Sequence, residues 1–134
     1  MTREQHTTTS PFVALEAQWL ASIASNERAG ERVDQRIASM PEALGEHWTQ
    51  EPQYSDYGIG PAELETETTC ARMSDAERAI IGEPANSASD LAVKFKVLRL
   101  WTGMFGDDPG ALDWILDAIA EDFARLTVTP AIAA

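Results

Sequence analysis

Lys94, Lys96 and Arg99 fall in one stretch, EPANSASDLAVKFKVLRLW, and are three of only ten basic residues in the chain. A short helix, SDAERAII, and a Gly82-Glu83-Pro84 turn precede them. Cations on the second helix of such a pair are what a DNA-reading helix-turn-helix uses on phosphates and base edges. That chemistry needs a polar face open to the groove, and only Lys96, Arg99 and Gly103 make a polar stripe here. Lys94 follows Asp90 by four residues, the spacing of a helical ion pair. The sequence therefore predicts a core helix whose three cations reach its surface and offset acidic neighbours.

Other reactive residue types are sparse. Cys70 has no histidine nearby in sequence to act as its base, so it reads as a small, semi-buried side chain. His6 and His47 stand apart, which gives no metal-ligand spacing. Gly58-Ile59-Gly60 lacks the third glycine of a dinucleotide fingerprint and the lysine of a P-loop. Carboxylates at helical spacing, Glu63–Glu67 and Asp113–Asp117, read as solvated faces without the burial that raises a catalytic pKa. The expectation is no enzyme activity, no catalytic residue, no metal and no cofactor.

The elements that carry these residues are helical. Residues 1–10 read as a disordered tail of polar, Thr-rich composition. Ser10-Pro11 marks a helix start, with Ser as cap and Pro at the first helical position. Phe12, Leu15, Trp19, Ile23, Val33 and Ile37 then follow a three- and four-residue seam, with Asn26 and Gly30 at its middle positions. Pro41 predicts the end near residue 40. Residues 49–61 read as a loop bearing Tyr54 and Tyr57, with Trp48 just before it. Pro61 opens a second helical stretch to Gly82, either continuous or broken near Met73, where Ser74 and Glu77 have capping-box spacing. Ser87 and Asp90 repeat that spacing at the head of a helix ending near Phe105. Asp108-Pro109 predicts the start of a last helix to about residue 126, with an apolar stripe of Leu112, Ile115, Leu116, Ile119, Phe123 and Leu126. Asp113, Asp117 and Glu121 form its acidic outer ladder, and residues 128–134 read as a tail. The reading is an all-α protein: a small helical bundle of three to five helices with a long N-terminal helix, in a single domain over residues 11–127.

Charge narrows the partners. The net charge is -12, with 4 basic and 12 acidic side chains in residues 1–67 and 6 and 10 in residues 68–134. Such a surface repels nucleic acid and anionic membrane at long range. No apolar run approaches the ~20 residues of a membrane span. No basic-then-apolar leader opens the sequence, so the expected location is cytoplasmic. The single cysteine permits no internal disulfide.

The order of a long acidic helix, a middle helix and then P-x-x-S-x-x-D-L-A-x-K-F is carried by Pro84, Ser87, Asp90, Leu91, Ala92, Lys94 and Phe95. Over residues 11–105 this layout resembles small helical proteins of alphaproteobacteria and their prophages. The resemblance implies an all-helical fold and no activity, cofactor or catalytic residue. The expected role is a non-enzymatic protein–protein interaction or scaffold protein, prophage-encoded in that setting. Its partner is an unknown protein or a second copy. Trp19, Ile23, Val33 and Ile37 on the first helix, with Trp48, Tyr54 and Tyr57 near the loop, are the candidate interaction residues. The rival readings are an acidic inhibitor that mimics nucleic acid and a helix-turn-helix-like DNA-binding regulator.

Overall fold

The computed structural model describes residues 9–39 and 59–133. They form four α-helices: α1 (Pro11–Ala38), α2 (Ile59–Gly82), α3 (Ala88–Phe105) and α4 (Asp113–Ala133). The protein is a small all-α bundle with a long N-terminal helix, as its periodicity predicts. No helix among the described residues is long and apolar enough to cross a membrane. Trp48, Tyr54, Tyr57 and both histidines lie outside the described residues.

The helix ends follow from local chemistry. Ser10 caps α1 by accepting the Phe12 backbone N–H at 3.1 Å. Ser39 closes it, its hydroxyl donating to the Arg36 carbonyl at 2.7 Å. The second helix is continuous across Met73 and Ser74, so the capping-box spacing there makes no break. At α3, Ser87 accepts the Asp90 N–H at 3.1 Å. Asp90 reaches back in turn, accepting the Asn86 N–H at 2.9 Å. A cap of this kind stabilises a helix by about 1 kcal/mol.

The last helix departs from expectation at both ends. It begins at Asp113, not at Asp108-Pro109, and its backbone runs to Ala133, beyond the expected end near residue 126 and through the presumed tail. Gly110 explains the late start. Its φ of 83° belongs to the left-handed region, which glycine enters freely and which no α-helix can continue through. Asp108 and Pro109 therefore sit in a run of tight turns, with the Asp108 N–H on the Phe105 carbonyl and the Ala111 N–H on the Asp108 carbonyl.

The chain divides into two compact units, one of Met1–Ala17 with Glu77–Ala134 and one of Gln18–Ala76. In the first, Phe12, Ile80, Ile81, Leu91, Val93, Val97, Ile115 and Ile119 are buried. Each side chain of that size contributes roughly 1.5–3 kcal/mol by leaving water. Trp101 stacks edge-on against Trp114, with ring centroids 5.3 Å apart, and tilts against Phe105 at 4.8 Å. In the second unit, Trp19 and Ala29 on α1 and Ala62 on α2 are buried. Asn26, the polar residue in the middle of the α1 seam, accepts a hydrogen bond from the Thr69 hydroxyl at 2.8 Å. A seam asparagine thus finds its partner on the neighbouring helix. On the outer side of the pair, Arg32 donates to Glu65 at 2.6 Å, and that hydrogen bond holds the Glu65 carboxyl below its usual range. Both groups are in water, so the bridge adds little.

Candidate functional site

The most concentrated chemistry lies in the first unit, and its centre is Lys94. The expected pairing with Asp90 and reach to the surface do not occur: only 1% of Lys94 is exposed. Its position supplies the reason. Lys94 lies three residues after Leu91 and three before Val97, on the buried face of α3. Asp90 is already engaged, accepting from the Ser10 hydroxyl at 2.7 Å and from Asn86. The ammonium of Lys94 donates to Asp122 on α4 at 2.5 Å and to the Ile81 carbonyl near the end of α2 at 2.9 Å. It also stands 5.9 Å from the centroid of the Phe12 ring, within cation–π range.

Asp122 is the second centre, and the expected apolar stripe missed it. The inward positions of α4 are Ile115, Ile119 and Asp122, with Leu126 half-buried, while Phe123 is 47% exposed. Glu77, Asp90 and Asp122, none of them in the carboxylate pairs read as solvated, are all buried. Glu77 accepts the Trp101 indole N–H at 2.9 Å. Asp113, Asp117 and Glu121 are exposed, as their ladder spacing predicts. The signal for Asp122 was its spacing, seven residues after Ile115 and three after Ile119. Hydrophobicity alone ranks Phe123 above it, and its partners Lys94 and Arg125 make an aspartate tolerable inside.

Arg125 completes the cluster. Its guanidinium donates to Asp122 at 2.6 Å, to the Ala85 carbonyl at 2.9 Å and to the Asn86 side-chain oxygen at 3.2 Å. The network thus ties α4 and α3 to the end of α2 and the Glu83–Ser87 turn. Burial pushes the Asp122 carboxyl up. Hydrogen bonds from Lys94, the Ala85 backbone and Arg125, with the charge of Lys94, outweigh it and hold the carboxyl below its usual range. An aspartate so held is a weak base. An open cleft of about 700 Å³ runs beside it, lined by Ile81, Pro84, Ala118, Glu121 and Arg125 among others.

A pH dependence follows from the depressed pKa. Asp122 adds stability fully above its unfolded pKa of about 4 and loses it as pH falls through the lower folded value. In urea titrations, the advantage of the native protein over Asp122→Asn is expected to be constant above about pH 5. It should shrink steadily below about pH 4. An advantage that grows on acidification would contradict this assignment.

The other sequence-based candidates are dispersed. Trp19 is buried, while Ile23, Val33 and Ile37 are partly exposed along α1. Cys70 is exposed, not semi-buried, because it lies on the outer side of α2. Lys96 reaches the surface and donates to Glu16 at 2.6 Å, the acidic offset expected of it. With Lys94 inside, the three cations share no open face. Among the described residues no three of His, Cys, Asp and Glu converge as metal ligands would. No family model matches the chain, nor does any curated protein or any solved structure.

Proposed function

We propose that this chain is a non-enzymatic protein–protein interaction or scaffold protein. The observation that carries the proposal is the exposure of large apolar side chains on α3 and α4. Phe95, Met104, Phe105, Leu116 and Phe123 are each between 39% and 50% exposed. Apolar surface left in water on a small domain marks a place where another surface docks. Aromatic and methionine side chains are also the ones that interfaces favour. The burial of Lys94 supports setting aside a DNA-reading role.

Affinity capture from nuclease-treated host lysate tests the proposal, comparing the native protein with Phe95→Ser/Phe123→Ser. A protein recovered by the first and lost from the second is expected, with both showing the same helical circular dichroism. Identical recoveries from the two would count against it. Self-association is a second form of the same role, favoured by the partial exposure of Ile23, Val33 and Ile37 on α1. Light scattering that returns only 14.6 kDa at micromolar concentration would remove it.

A further inference from the structure

The outer side of α4 carries two strips that run side by side. Leu116, Ala120 and Phe123, at spacings of four and three, form an exposed apolar strip. Asp113, Asp117 and Glu121 form the strip next to it, each four residues from the last and each exposed. None of the ion pairs among the described residues uses these three carboxylates. Like charges at this spacing repel one another, and Asp117 and Glu121 lack the first-turn position that favours Asp113. Leu116 and Phe123, 46% and 47% exposed, likewise leave apolar surface in water. Both unfavourable features sit on one helix face, and one occupant would relieve both.

We infer that this face of α4 docks a basic amphipathic segment of a partner protein. Such a segment would place two or three Lys or Arg side chains against the carboxylate strip and an apolar side chain against Leu116 and Phe123. Charge decides the class of occupant. A second copy brings another net charge of -12 to the same acidic strip, and nucleic acid brings phosphates. A cationic helix is attracted from a distance and then held by its apolar side. The inference rests on the interaction reading and names the surface and the chemistry of its partner.

The probe is a synthetic amphipathic peptide of about 15 residues with lysines at i, i+4 and i+8 beside a leucine strip. Binding to the full chain is followed by fluorescence anisotropy and by backbone amide shifts. Micromolar binding is expected, with shifts centred on residues 113–124. It should weaken about tenfold or more in Asp113→Asn/Asp117→Asn/Glu121→Gln and in Phe123→Ser. It should also weaken between about 50 and about 300 mM salt. A peptide with glutamates in place of the lysines is expected not to bind. Equal binding of both peptides, absence of binding, or shifts confined to other helices would overturn the inference. So would a lysate partner that tolerates the triple variant but is lost with Phe123→Ser, an outcome that would leave the interaction reading standing.

Discussion

Replacing Lys94 with Met is expected to destabilise the protein by about 3 kcal/mol, read as a lower urea midpoint with an unchanged slope. Methionine keeps most of the length of the lysine stem, so the loss reports on the charge and its hydrogen bonds rather than on a cavity. The substitution leaves Asp122 buried with its negative charge and strips the Ile81 carbonyl of its donor. Arg125 and the Ala85 backbone still serve Asp122, which is why the low end of the usual 3–5 kcal/mol range is expected. That loss is a large share of the roughly 5–15 kcal/mol that hold a domain folded. The double variant Lys94→Met/Asp122→Leu should regain most of it, because an apolar pair has no charge to leave unmatched. Arg125 tolerates the change, since its side chain is 44% exposed and water can replace the lost carboxylate. A single variant within about 1 kcal/mol of the native protein would mean that Lys94 escapes to solvent.

Truncating Ile115 to Ala is expected to cost about 2–5 kcal/mol, whereas Phe123→Ala should cost less than about 1 kcal/mol. Ile115 is fully buried, so its removal forfeits burial and leaves a cavity; Phe123 has nearly half its surface in water. Thermal or urea unfolding of the two variants side by side decides which residues form the inner face of α4. By size alone the ranking would be reversed, as a phenylalanine carries the larger apolar area. A Phe123→Ala variant as damaged as Ile115→Ala would move the core toward Phe123 and expel Asp122.

These two results bear on the same rotation. An apolar stripe of Leu112, Ile115, Leu116, Ile119, Phe123 and Leu126 is wider than one inner face, and periodicity does not say which edge of it is covered. The structure turns α4 so that Asp122 faces inward and Leu116 and Phe123 lie at the border. What selects that rotation is the buried cation across from it. Lys94 and Asp122 stand 28 positions apart, so no local spacing rule links them. The i,i+4 rule instead points Lys94 at Asp90, whose carboxylate the Ser10 hydroxyl and the Asn86 N–H already occupy.

Local chemistry sufficed where the deciding partners are close in sequence. The all-helical class follows from three- and four-residue periodicity, and Ser10 and Ser87 mark their helix starts because a cap bonds two or three residues ahead. Gly82 and Pro84 end α2 for reasons confined to one turn. Gly110 shows where that reach stops: its left-handed φ displaces the start of α4 by several residues, and glycine's identity permits but does not compel it. Tertiary structure alone decided that Lys94 is interior, that Asp122 meets it, and that the acidic strip of α4 runs beside uncovered apolar side chains. A buried charge is acceptable only opposite its partner, and which distant residue becomes that partner is settled when the helices pack.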